Sequence, residues 1–133
     1  MEASIFTKIV NGDIPAYKVA EDDRFLAFLD VFPTAKGHTL VIPKQQIDYI
    51  FDLDDELYLG LMAFAKKVAA AVEKAVSCKR VGVAVVGLEV PHAHVHLIPL
   101  NSMQDMNFAN KKQFSKEVFE EVAEKIRSAY NAS

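Results

Sequence analysis

The chain has 133 residues, half of them apolar and a quarter charged, with a formal net charge of -3. That is enough to bury the core of one domain spanning 1–133. No basic stretch exceeds a pair such as Lys66-Lys67 or Lys111-Lys112, so the basic footprint of a nucleic-acid-binding protein is missing. The most apolar stretch, Leu57 to Val76, is broken by Lys66, Lys67, Glu73 and Lys74, which excludes a membrane span there. The single Cys78 can form neither an internal disulfide nor a multi-cysteine zinc site and suits a reducing compartment. The first residues carry no basic region followed by an apolar core, so the expected location is the cytoplasm.

Along the chain, apolar residues at 5, 6, 9 and 10 predict a short helix closed by Asn11-Gly12. Pro15 then forces an extended turn. Strands are expected over 16–20 and 25–30, joined by the acidic turn Glu21-Asp22-Asp23. A third strand, 38–42, follows the loop Pro33 to Gly37 and stops at Pro43. The longest helix runs over about 54–76, capped by Asp52 or Asp54, with Leu57, Leu61, Ala65, Val68, Val72 and Val76 in one stripe. Tyr58, Met62 and Ala69 widen its apolar arc to roughly 160°. Such an arc points either to a partner subunit or to a helix sunk deeply into its own domain. Strands over 80–86 and 92–97 are joined by Gly87-Leu88-Glu89-Val90-Pro91, and an amphipathic helix covers about 113–130. The order of elements and the short turns predict an α+β fold: an antiparallel sheet of about five strands, a long helix packed on it, and a C-terminal helix.

The chemistry concentrates in Pro91-His92-Ala93-His94-Val95-His96-Leu97-Ile98-Pro99. On a strand the three histidines would share one face, about 6.5–7 Å apart, with Ala93, Val95 and Leu97 facing a core. Three readings fit that pattern. It can be the polar side of a half-buried strand. It can be a metal site completed by His38, Glu89 or Asp30. Or it can be a phosphate held across the rings, with a histidine as nucleophile.

The segments Ile5-Phe6-Thr7-Lys8-Ile9-Val10, Asp13-Ile14-Pro15-Ala16, Glu21-Asp22-Asp23, Leu26-Ala27-Phe28 with Asp30, and His38 with Leu40-Val41-Ile42-Pro43-Lys44 all precede the triad. In order and spacing they resemble the histidine triad family, in its Hint-type branch. The resemblance covers about residues 1–100, and residues 101–133 are read from periodicity alone. It implies an enzyme in which His94 attacks the α-phosphate of a purine nucleoside 5′-phosphate derivative and forms a covalent nucleotidyl-histidine. His96 would contact the phosphate and leaving group, with His92 and His38 completing the ring. Asp30 would accept the ribose hydroxyls, and Phe6, Ile9, Phe28 and Val31 would form the base slot. No metal or other cofactor is implied, and a homodimer is. The implied activity is that of a nucleotide hydrolase or phosphoramidase. The family also holds dinucleoside polyphosphate hydrolases and nucleotidyl transferases. A nucleotide-binding or interaction protein with little activity is the reading from another class.

The chain departs from the family pattern in two places. Nothing between Arg80 and Glu89 is Asn, Gln, Ser or Thr, and Glu89 stands where a hydroxyl residue is usual. A carboxylate repels a phosphate, so Glu89 is expected either to orient a histidine or to favour a cationic leaving amine. Gln45 and Gln46 stand where a further histidine is frequent after the Pro-Lys step.

Overall fold

The computed structural model describes residues 2–133; Met1, where the reading of the leader begins, lies outside them. The elements in chain order are α1 (Ile5–Val10), β1 (Lys18–Glu21), β2 (Phe25–Leu29), β3 (Thr39–Pro43), α2 (Asp55–Ala75), β4 (Arg80–Ala84), β5 (Val95–Leu100) and α3 (Lys116–Asn131). Short 3-10 turns at Ile50–Asp52 and Met103–Met106 precede α2 and α3. The strands form one antiparallel sheet in the order β1-β2-β3-β5-β4. The expected α+β architecture is therefore the observed one.

Local chemistry explains the boundaries. Ser4 caps α1, its hydroxyl accepting from the Thr7 N–H at 3.0 Å. Asp22 closes the β1–β2 turn by accepting from the N–H groups of Arg24 and Phe25. Asp54, one of the two expected caps, accepts from the Leu57 N–H at 2.8 Å.

The sheet has a different cover on each face. Alternate residues Ala27, Leu29, Val41, Val95 and Leu97 pack into the main core with Leu61, Val68 and Val72 of α2 and Val122 and Ile126 of α3. The other face carries Leu26, Phe28, Leu40 and Ile42, which pack with Phe6 and Ile9 of α1 in a smaller cluster. Because His96 pairs with Leu40 across the sheet, it belongs to this second face.

The wide apolar arc of α2 has an explanation within the chain. One side lies on the sheet, and Tyr130 of α3 packs on Phe64 from the other side. The C-terminal helix is held on the strands as well: Arg127 donates to the Lys18 carbonyl at 2.7 Å and Phe119 stacks on Tyr17 at 5.1 Å. The arc thus requires no partner subunit.

One strand differs in place. The sequence pattern predicts 92–97, whereas β5 is Val95–Leu100. His92 sits in a turn, its N–H donating to Val90, while the Ala93 N–H donates to Ile47 outside the sheet. β5 continues through Pro99 because β3 pairs with it only as far as Leu97, leaving Pro99 a strand neighbour on one side only.

Candidate active site

Three short pieces of chain bring the histidines together. His38 stands immediately before β3, His92 and His94 lie in the turn before β5, and His96 lies in β5. The position of His38 depends on Gly37, whose φ is +93° and where a Cβ would lie 2.8 Å from Val76 Cγ2. Only glycine tolerates both that conformation and that approach. All four rings are buried, His94 and His96 retaining 7% exposure each. Ala93, Val95 and Leu97 face the main core, as the alternation predicts.

The hydrogen bonds assign the ring protons, since a carbonyl can only accept and a backbone N–H can only donate. The Thr34 N–H donates to His38 Nδ1 at 3.0 Å, so the proton of neutral His38 is on Nε2. That Nε2–H donates to His96 Nδ1 at 2.9 Å, which places the His96 proton on its own Nε2. His92 likewise donates from Nε2 to the Pro43 carbonyl at 2.7 Å and accepts at Nδ1 from the Ser4 hydroxyl at 2.8 Å. His94 is the exception. Its Nδ1–H donates to the His92 carbonyl at 2.7 Å, so its lone pair is on Nε2, which makes no hydrogen bond among the described residues.

Burial sets the charge of the site. It pushes His38 down to about 3, and the neighbouring Lys111 and His94 further disfavour a proton there. His96 is pushed to about 3 by burial, with His38 and His94 beside it disfavouring a second proton in the cluster, against the opposing pull of Asp30. Burial also lowers His92, although its bond to the Pro43 carbonyl opposes the shift. These three rings are therefore neutral donors at pH 7.

Asp30, His38 and His96 offer ligand atoms within 4.8 Å of one another, a spacing that could hold a metal ion. A ligating histidine donates its second N–H to an acceptor, whereas Nδ1 of His38 faces the Thr34 N–H. His38 Nε2 is thereby held as a donor to His96.

The residues expected on the nucleoside side divide. Asp30 Oδ1 accepts from the Phe32 N–H at 2.8 Å, and its Oδ2 lies 3.6 Å from His38 Nε2. The carboxylate is thus both a turn residue and a wall of the histidine cluster. Phe6 meets Phe28 at 5.4 Å and sets its edge against His94 at 5.0 Å. Phe6, Ile9 and Phe28 form the floor of the smaller core, while Val31 is 50% exposed. Glu89 is exposed and makes no hydrogen bond or ion pair among the described residues.

Other residues shape the site without standing out in the sequence. Ser4 orients His92 and Thr34 orients His38. Gln46 accepts from the Ser4 N–H and the Thr7 hydroxyl, fixing α1 beside the triad. The N-cap position of Ser4 was the one available signal for this group.

Four histidines gathered at the inner strands β3 and β5 and in the segment before β5, one with a free Nε2 lone pair, lie beside an apolar floor and a carboxylate, an arrangement of the histidine triad type. The HIT domain family matches residues 11–103, and the chain belongs to that family. An uncharacterised HIT-like protein of Borreliella burgdorferi is 37% identical over 131 residues, 92% of this chain and 94% of the relative. The adenosine 5′-monophosphoramidase hnt1 of Schizosaccharomyces pombe is 42% identical over 96 residues, 71% of this chain and 72% of the enzyme. The crystal structure of a HIT-like protein from Bartonella henselae superposes with a TM-score of 0.82 at 37% identity, covering 95% of each chain.

Proposed function

We propose that the protein is a nucleotide hydrolase of the phosphoramidase kind, acting on the α-phosphate of a purine nucleoside 5′-derivative through a covalent nucleotidyl-histidine at His94. The observation that carries this reading is the distribution of ring protons, which leaves Nε2 of His94 as an unengaged lone pair. A neutral imidazole is the attacking form.

In the first step the Nε2 lone pair forms a bond to the α-phosphorus, and the bond to the leaving group breaks with its electron pair departing on that group. The nucleotidylated ring becomes cationic, and its Nδ1–H, already on the His92 carbonyl, spreads that charge. His96 presents its Nε2–H as a fixed donor to the phosphoryl or departing atom, held in that tautomer by His38. In the second step water attacks phosphorus, the pair returns to Nε2, and the nucleoside monophosphate is released with one proton to solvent.

Asp30 receives the ribose hydroxyls, and Phe6, Ile9, Phe28 and Val31 border the purine. The ligand is a small nucleotide rather than a nucleic acid, the protein works in the cytoplasm, and it needs no metal for the attack. No helix among the described residues is long and apolar enough to cross a membrane. Two copies pair through β4, an edge strand with Val83 55% exposed, continued by Val85 at 40%, Val86 at 49% and Leu88 at 88%. An unpaired apolar edge of this kind calls for cover.

Hydrolysis of adenosine 5′-phosphoramidate by the wild-type chain and by His94→Ala tests the activity. Turnover that disappears in the variant supports the reading, and equal turnover in both contradicts it.

A further inference from the structure

Two phenylalanines bracket the four histidine rings in pairs. Phe6 sets its ring against His94 and His92, with centroids 5.0 and 5.8 Å away. Phe108 does the same for the other pair, 4.8 Å from His96 at an interplanar angle of 71° and 6.2 Å from His38 at 70°. Edge-to-face contacts of this kind hold a ring in its plane. Phe6 belongs to α1 and to the smaller core. Phe108 lies in a turn outside every helix and strand, and the match to the family ends at residue 103.

The segment that carries Phe108 is nonetheless tied down at both ends. Asp105 accepts from the N–H groups of Asn101 at 2.7 Å and Ser102 at 3.1 Å, turning the chain back after β5. The Thr34 hydroxyl donates to the Asp105 carbonyl at 2.6 Å, and the Lys112 N–H donates to the Pro33 carbonyl at 2.7 Å. Thr34 is also the residue whose N–H orients His38. One fully buried residue therefore fixes both His38 and the strap over 105–112. Between the ties the Phe108 ring is half-buried, and Lys111 Nζ lies 5.5 Å from its centroid, a cation–π contact that adds to its hold.

We propose that Phe108 is a positioning residue for His96, fixing the plane of that ring so that its Nε2–H points at the atom leaving the α-phosphorus. This inference rests on attack by His94 as described above. The bond from His38 holds the His96 ring at Nδ1. The χ2 torsion of histidine has a broad well, so that single bond leaves the ring free to rock, and Nε2 moves with it. An aromatic ring packed on His96 removes this freedom.

The consequence depends on what leaves. An amine carries away the electron pair of the P–N bond and takes a proton from water as it departs. The Nε2–H of His96 stabilises that developing pair only while it points at the nitrogen. A nitrophenolate carries away the pair of the P–O bond on oxygen, spreads the charge into its own ring and needs no proton. A misaligned His96 therefore slows the loss of an amine and hardly affects the loss of a nitrophenolate.

The test compares kcat/KM, which covers formation of the His94 adduct, for adenosine 5′-phosphoramidate and the 4-nitrophenyl ester of adenosine 5′-monophosphate. Phe108→Ala is expected to lose about tenfold on the phosphoramidate and less than about twofold on the ester. Phe108→Leu, which keeps an apolar contact, should regain most of the loss. Asp105→Ala, which loosens the strap and keeps the Phe108 ring, should show the same bias. In a His96→Ala background, Phe108→Ala should add no further loss, because the two residues act as one unit. Equal losses on both substrates, no loss on the phosphoramidate, or a full loss that persists in the His96→Ala background would overturn the proposal. If the wild-type chain cleaves neither substrate and forms no adduct at His94, the attack by His94 itself fails and the role of Phe108 falls with it. A wild-type adduct at His94, with variant losses that ignore the leaving group, overturns the role of Phe108 alone.

Discussion

His94 donates its Nδ1–H to the carbonyl oxygen of His92 across 2.7 Å, which leaves the ring's lone pair on Nε2. The bond closes between residues two apart in a turn, so it depends on the turn and not on a strand. His92 is anchored independently of its neighbour, by Ser4 on one nitrogen and the Pro43 carbonyl on the other. The carbonyl that orients His94 is thus fixed from behind by α1 and by the end of β3.

The His38–His96 bond gives a kinetic prediction. With His38→Ala, His96 loses the donor that fixes its tautomer and its ring is freed. We expect kcat to fall about 10²-fold with a smaller change in KM. Steady-state kinetics checks the split, and nitrogen chemical shifts of His96 report the tautomer. An effect confined to KM would place His38 in binding rather than in orientation.

Stability should depend on pH through the buried rings. His38 and His96 titrate near 3 in the folded chain but near the reference value of about 6.5 when unfolded. Between those values the unfolded state binds more protons, so stability is complete above about pH 6.5 and is lost as pH falls. Each ring contributes a slope of about 1.4 kcal/mol per pH unit within that window. Urea titrations between pH 7 and pH 4.5, above most carboxylate titration, should show the decline, and His38→Ala should flatten it.

Gly37 is a packing and backbone requirement. Gly37→Ala places a methyl group 2.8 Å from Val76 Cγ2 in a left-handed conformation, with an expected loss of about 2–4 kcal/mol. Denaturant unfolding measures it. Adding Val76→Ala should recover the steric share and leave the conformational share.

The β4 edge predicts the assembly. Val83→Lys puts a charge on a residue that is 55% exposed in the single chain and should halve the mass seen by light scattering. A wild-type mass of one chain, or a variant mass equal to that of a dimer, would contradict pairing through this edge.

Much of the fold was legible because its signals are local. The Asn11-Gly12 close of α1, the cap at Asp54, the Asp22 turn and the stripe on α2 each act within a few residues, and the elements they bound match the predicted ones closely. The histidine strand was misplaced because alternation of His92, Ala93, His94 and Val95 is also what a turn produces when its alternate residues face a common site. What moves His92 out of the sheet is long-range: the Ala93 N–H reaches Ile47 and the His92 ring reaches Ser4 and Pro43. The arc of α2 left a partner subunit and burial in its own domain both open because the packing of Tyr130 on Phe64 has no mark in the helix's own sequence. The four histidines and Asp30 were visible as a group, whereas Phe108 and Lys111 lie in a stretch with no periodicity.

The central claim is tested most directly by mixing the protein with a nucleoside phosphoramidate, quenching in alkali to spare the acid-labile P–N bond, and measuring intact mass followed by peptide mapping. The account predicts a mass increase of one nucleoside monophosphate residue on the peptide bearing His94, absent in His94→Ala. An adduct on His92 or His96, or turnover that survives in His94→Ala, would contradict it.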